Sequence, residues 1–281
     1  MINSLPAEAK PIIEIEPRRG LFDLDLGSIW RYRELLYFLA WREIKVRYKQ
    51  TLIGAAWVVL QPLLTVLIFT VVFGNFANIP SDGLPYPVFA FAGLLPWTYF
   101  AEAITRSSSS LVSDANLIRK VYFPRLIIPL AAIATPAVDF LLCFVTLLGV
   151  MVWYGIAPKM TLLFLPVFWL QAFLTALAVG LWVSALNVKY RDVRYTVPFL
   201  MQFWMYASPV VYPVSIIPEK WRLLFSLNPM TGVIEGFRWG LLDKESPDFA
   251  VMIGSMLVVL VFLIGGLVMF RRMERVFADI V

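Results

Sequence analysis

The sequence predicts an all-α polytopic membrane protein, and three observations carry that prediction. Of its 281 residues, 60% are hydrophobic and only 15% charged, against about 25% charge and 45–50% apolar residues in soluble domains. Apolar runs of roughly 17–25 residues, each long enough to cross a bilayer core, recur along the whole chain. Between those runs the lysines and arginines gather at alternate ends.

Six transmembrane helices are expected, at 51–76, 86–111, 126–154, 161–187, 195–212 and 249–270. With the N-terminus inside, all but five of the 24 lysines and arginines fall on one side, the exceptions being Lys159, Lys220, Arg222, Arg238 and Lys244. The positive-inside rule therefore places both termini in the cytoplasm. Residues 1–27 are acidic and proline-bearing with no apolar core, so they read as a cytoplasmic tail and not a signal peptide. The division expected is tail 1–27, interface helix 28–50, six-span domain 51–272 and cytoplasmic C-terminus 273–281.

Composition also excludes functions. There is no histidine, and the single cysteine, Cys143, lies in an apolar run. Zinc hydrolases, Ser-His-Asp triads and an internal disulfide are excluded. No G-x-x-x-x-G-K-[ST] occurs, so a nucleotide-driven step needs a second polypeptide. No metal or cofactor is expected on this chain.

The stretch "WREIKVRYKQ" (41–50) directly precedes the first span, so its charges are juxtamembrane and a nucleic-acid partner is not expected. Arg31, Arg42, Lys45 and Lys49 share one helical face, with Leu36, Leu39 and Val46 roughly opposite, interrupted by Glu43 and Arg47. This predicts an N-terminal amphipathic interface helix over 28–50. Its basic face serves either as a lipid-headgroup anchor, worth about 1 kcal/mol per basic residue, or as a docking surface for a cytoplasmic partner.

Within the spans, Pro62 is expected to kink the first helix. Ala172, Ala176, Gly180 and Ser184 form a small-residue packing stripe. Glu102 and Arg106 have ion-pair spacing. Asp139 sits near the middle of the third span with no second acid expected at its depth, and either lines a polar conduit or partners another helix. Two aromatic stripes run through span depth: Tyr86, Phe89, Trp97 and Phe100, with Gly93 on the same face, and Tyr195, Phe199, Phe203 and Tyr206. Singly each residue reads as packing; as parallel stripes they suggest flat faces along which a sugar chain slides.

Segment 213–248 is too apolar for an aqueous loop, yet Pro218 and Asn228-Pro229 break it into pieces, 219–227 and 230–242, too short to cross. Broken backbone at membrane depth must be buried in protein or face water. A re-entrant helical hairpin between spans five and six is expected, with Glu235 and Arg238 paired. On the other side, Ser113 or Asp114 is expected to cap a short helix in loop 113–125, which Pro124 ends. Arg119, Lys120 and Arg125 make this loop a lever for a soluble partner.

Four blocks, "REIKVRYKQTLIGAAWVVLQPLL", "LIRKVYFPRLIIPLA", "ASPVVYP" and "LNPMTGVIEGFRWGLL", bring a family into view. Residues 30–272 resemble the membrane subunit of ABC transporters that export polysaccharides such as O-antigen, capsule or teichoic acid. The resemblance implies a homodimer in the bacterial cytoplasmic membrane, with two copies of a separate ATPase that binds ATP and magnesium. The cargo implied is a polyprenyl-linked polysaccharide. It assigns ATPase coupling to Arg42, Lys45, Arg47, Lys49, Arg119, Lys120 and Arg125. Tyr86, Trp97, Phe100, Asp139, Phe199, Phe203 and Tyr206 become conduit candidates. Pro209, Pro213, Asn228, Pro229, Glu235 and Arg238 become outer-gate candidates. The alternatives are an ABC permease for a lipid or drug, a membrane glycosyl- or acyltransferase, and a proton-coupled carrier. A transferase needs clustered acids or histidines at one membrane face, and a carrier several midplane acids; neither pattern occurs.

Overall fold

A computed structural model describes residues 26–49, 54–243 and 248–280; the predicted tail lies almost wholly outside the described residues. Twelve α-helices are described: α1 (Leu26–Arg31), α2 (Arg33–Lys49), α3 (Gly54–Phe69), α4 (Tyr86–Ser113), α5 (Ala115–Lys120), α6 (Ile127–Ala134), α7 (Ala137–Trp153), α8 (Leu165–Lys189), α9 (Val193–Tyr206), α10 (Glu219–Ser226), α11 (Pro229–Leu242) and α12 (Phe249–Ile280). A π-helical turn, Thr70–Phe76, extends α3, and a 3-10 turn, Met160–Phe164, leads into α8. No strand occurs among the described residues.

Five stretches are long and apolar enough to cross a membrane: Ala56–Phe76, Tyr86–Ser113, Ile127–Trp153, Met160–Lys189 and Phe249–Glu274. The run predicted as the fifth of six spans differs. It yields the 14-residue α9, which rises only about 21 Å against a hydrocarbon core of about 30 Å. The chain beyond Tyr206 leaves the helix because Pro209 and Pro213 have no amide hydrogen to donate. The third run is also interrupted, since Thr135-Pro136 separates α6 from α7.

Helix α4 is the centre of the molecule: 78% of its apolar window is buried, against 22–39% for the other four. Its main partner is α8. The expected small-residue stripe makes this contact, with Ala172, Ala176, Gly180 and Ser184 all buried. A Cβ on Gly180 would lie 2.9 Å from Ser107 Oγ, and that hydroxyl donates to the Gly180 carbonyl at 3.2 Å. Without side-chain bulk the two backbones approach closely. Helix α11 lies against α4, α8 and α12. A Cβ on Gly236 would overlap the Phe168 ring of α8. On the other side of the molecule α2 packs on α6, where Leu39 joins Ile118, Ile127 and Phe277 in a second apolar cluster.

Candidate functional site

Helix α2 docks through charge as well as through Leu39. Arg42 Nη2 lies 2.8 and 3.1 Å from the two carboxylate oxygens of Asp114. Arg47 bridges two membrane helices, 2.9 Å from Glu102 on α4 and 3.0 Å from Asp139 on α7. Tyr48 donates its hydroxyl hydrogen to Asp139. Arg106 sits 2.8 Å from Glu102, the expected pair, and 3.8 Å from Glu43. Burial pushes the Glu43 carboxyl above its ordinary range, and the nearby Arg106 guanidinium opposes that rise. Three arginines and four carboxylates thus tie the N-terminal helix to α4 and α7.

This network revises several expectations. Asp139 is a partner of α2, and a second acid, Glu102, shares Arg47 with it. Asp114 occupies the position before α5 but makes no side-chain cap there, because its carboxylate is held by Arg42. Val46, expected on the apolar face of α2, is exposed, as are Tyr37, Phe38 and Trp41 of the same helix and Trp30 of α1. Tyr37 and Trp41 stack at 6.3 Å; Lys45 lies 5.7 Å from the Trp41 ring. Lys49 is exposed.

Beside the network lies a cavity of about 450 Å³ between α3, α4, α7 and α9, lined by Gln61, Thr65, Trp97, Glu102, Thr105 and Asp139 among others. Its threonine hydroxyls donate to carbonyls of their own helices, Thr65 to Gln61 and Thr105 to Ala101, and its carboxylates are held by Arg47, Arg106 and Tyr48.

The two aromatic stripes part company. Tyr86, Phe89, Trp97 and Phe100 are buried at 8% exposure or less, whereas Tyr195, Phe199, Phe203 and Tyr206 are 49–68% exposed. Trp97 and Phe100 meet Trp204 of α9 at 6.4 and 5.2 Å between ring centres. Trp97 and Phe100 thus cushion α9, which turns its own stripe outward, with Phe199 and Phe203 rings 4.5 Å apart.

The irregular linker after α9 is held by side chains. Arg238, buried in α11, donates to the carbonyls of Val210 at 2.7 Å and Tyr212 at 3.3 Å and pairs with Glu235 at 3.1 Å. Its guanidinium lies 3.7 Å from the Phe89 ring centre. Tyr86 donates to the Val211 carbonyl at 2.7 Å, so three successive carbonyls are satisfied. Asn228 caps α11 by accepting from Met230 N at 3.1 Å, accepts from Trp204 Nε1 at 3.1 Å, and donates to Ser208 Oγ at 2.9 Å. Pro209, Pro213 and Pro229 are buried around this knot. Gly93 lets α4 reach it: an added Cβ would lie 2.9 Å from Arg238 Nη2 and 3.0 Å from the Val210 carbonyl.

The loop after α5 divides its charges. Arg119 and Lys120 are exposed, as are Val121 and Tyr122. Arg125 turns inward and donates to the Glu274 carbonyl of α12. Sequence reasoning missed Tyr48 and Trp204, whose partners lie 91 and 24 residues away; no local spacing signals either.

Residues 34–242 match the family model described as ABC-2 type transporter. The chain is 31% identical over 258 residues to the O-antigen export system permease protein RfbA of Myxococcus xanthus, covering 90% of this chain and 97% of that one. It is 28% identical to the Klebsiella pneumoniae protein of the same name, covering 88% and 95%. It is 24% identical to the polysialic acid transport protein KpsM of Escherichia coli, covering 83% and 91%. A helical body with five membrane-length apolar stretches and a family match over most of its length leave one conclusion: this chain is a multi-pass membrane protein of the ABC-2 type transporter family.

Proposed function

We propose that this chain is the membrane permease subunit of an ATP-driven polysaccharide exporter in the bacterial cytoplasmic membrane. It works as a homodimer with two copies of a separate ATP-binding subunit, which carries ATP and magnesium. The relatives named for O-antigen export and polysialic acid transport support the cargo class. The observation that carries the reading is the outward aromatic face of α9, Tyr195, Phe199, Phe203 and Tyr206, left uncovered. Aromatic faces contact the C–H groups of pyranose rings without fixing one hydrogen-bond geometry, which suits a moving polymer. The conduit is assigned to Phe199, Phe203 and Tyr206, with Tyr86, Trp97 and Phe100 as its buried support and the Asp139 recess opening beside it.

In this reading α9 and the linker 207–213 together make a sixth crossing, and α10 and α11 form a re-entrant outer hairpin closed by the Arg238–Asn228 knot. Both termini are cytoplasmic. Helices α1 and α2 lie along the cytoplasmic interface with Trp30, Tyr37 and Trp41 in the headgroup layer, where tryptophan and tyrosine are favoured. Arg119 and Lys120 contact the ATPase. Arg42 and Arg47 act one step further in, passing its movement to α4 and α7.

Native mass spectrometry of the tagged chain, purified gently from its own host, tests this. The expected species holds two copies of this chain and two of a Walker-motif ATPase, with a lipid-linked glycan on a fraction of them. A lone chain that cross-linking never joins to an ATPase overturns the proposal.

A further inference from the structure

The consecutive helices α7 and α8 are joined by 154–164, the 3-10 turn included, and their backbones do not pack along each other. Helix α7 packs on α3 and α4, whereas α8 packs on α4, α11 and α12. Here a cleft of about 490 Å³ separates them, its wall formed by Phe140, Phe144, Leu165, Trp169 and Phe237 with Leu141 at its rim.

The cleft is built, not loose. Its rings brace one another: Phe140 stacks on Phe144 at 6.2 Å, meets Phe237 edge-on at 5.8 Å and faces Trp169 at 6.4 Å. Trp169 leans in turn on Tyr99 at 6.0 Å and Phe173 at 5.9 Å. Such a wall does not collapse into the space. Next to it α11 meets α8 so closely that Gly236 has no room for a methyl group. Close packing on one side and an open cleft on the other mark a preformed volume, within the range of about 300–1,000 Å³ typical of ligand pockets.

We propose that this cleft is a resident lipid site, occupied by one acyl chain of a bilayer phospholipid. The lining surface is almost wholly hydrocarbon and aromatic, and the unpartnered Nε1–H of Trp169 is itself buried, so water and anions find too few partners there. Both walls belong to membrane-crossing stretches, and Leu141 at the rim is 59% exposed, so the medium at the mouth is bilayer hydrocarbon. On the α8 side the lining starts at Leu162 and Leu165, beside the turn, and reaches Trp169 only four residues, about 6 Å, into the helix. The cleft therefore follows a chain inserted from the leaflet on the turn's side, the outer one in the orientation proposed above. No cation is among the described residues that line the cleft, so the occupant is held through hydrocarbon alone, which an acyl chain of the surrounding bilayer supplies. The chain would lie against Phe237 of α11, one residue from Arg238, and so prop the helix that pins the linker.

The test is native mass spectrometry of the full chain purified in mild detergent and exposed to dioleoyl phosphatidylglycerol. One tightly retained phospholipid per chain is expected, with loss of that adduct in Leu141→Trp and Ala137→Phe, which fill the cleft. Retention of a polyprenyl lipid in its place, no adduct, or an undiminished adduct in both filled variants overturns the proposal. Should the filled variants fail to fold, acyl-brominated phosphatidylcholine vesicles decide with the intact cleft. The quenched share of tryptophan fluorescence must fall in Trp169→Phe, and an unchanged share refutes occupancy. None of these readouts depends on export.

Discussion

Replacing Arg238 with alanine should loosen the linker that follows α9. The arginine is 7% exposed; it satisfies the carbonyls of Val210 and Tyr212 and neutralises Glu235. Removing one member of a fully buried ion pair costs about 3–5 kcal/mol; Glu235 is half-buried, with 26% of its side chain accessible, so the loss here lies toward the lower figure. The orphaned carbonyls and the lost contact with Phe89 act in the same direction. At about 2–4 °C per kcal/mol the melting temperature should fall by about 6–12 °C. Arg238→Lys should be intermediate, since a lysine keeps the charge but lacks the fork that reaches two carbonyls. The double variant Glu235→Met/Arg238→Met should melt above Arg238→Ala, because removing both charges leaves none unpaired. The assay is thermal unfolding of the detergent-purified protein followed by intrinsic fluorescence. An Arg238→Ala melt matching the parent, or a double variant no better than the single, would refute the reasoning that this charge holds the linker.

Three further outcomes are expected. Phe203→Ala should slow glycan export at an unchanged melting temperature, whereas Trp97→Ala, which empties a buried site, should cost about 3–5 kcal/mol of stability; parallel export and melting assays separate them. Reversing charge at Arg119 and Lys120 together should uncouple ATP hydrolysis from export in proteoliposomes while leaving the fold intact, and undiminished export would remove the loop from the coupling path. Burial raises Glu43 above its ordinary value of 4.5, so the folded protein holds its proton more tightly than the unfolded chain. Its contribution to stability must therefore fall as pH rises from 4.5 through the raised folded value. Hydrogen exchange of α2 amides, corrected for intrinsic rate, should show firmer docking at the acid end of that window, and Glu43→Gln should abolish the difference.

The sequence by itself determined the features set by composition and short-range spacing. Apolar runs mark membrane helices because the bilayer core accepts little else. The small-residue stripe of α8, the Glu102–Arg106 pair and the Glu235–Arg238 pair were legible because a helix brings residues three or four apart onto one face. The breaks at Pro218 and Asn228-Pro229 marked α10 and α11 nearly to the residue, since proline ends or starts a helix wherever it stands.

Only the tertiary structure decided which of two similar aromatic stripes is covered. Tyr86, Trp97 and Phe100 share one helical face just as Phe199 and Phe203 do, and periodicity says only that residues share a face. What that face meets depends on α4 being surrounded and α9 lying at the edge. The same holds for charge. Arg47 reads as one more basic residue of a juxtamembrane helix, yet it ends between Glu102 and Asp139, contacts that span 55 and 92 positions of sequence. Such pairings are chosen by how whole helices dock, and the docking is fixed by packing that no local pattern encodes.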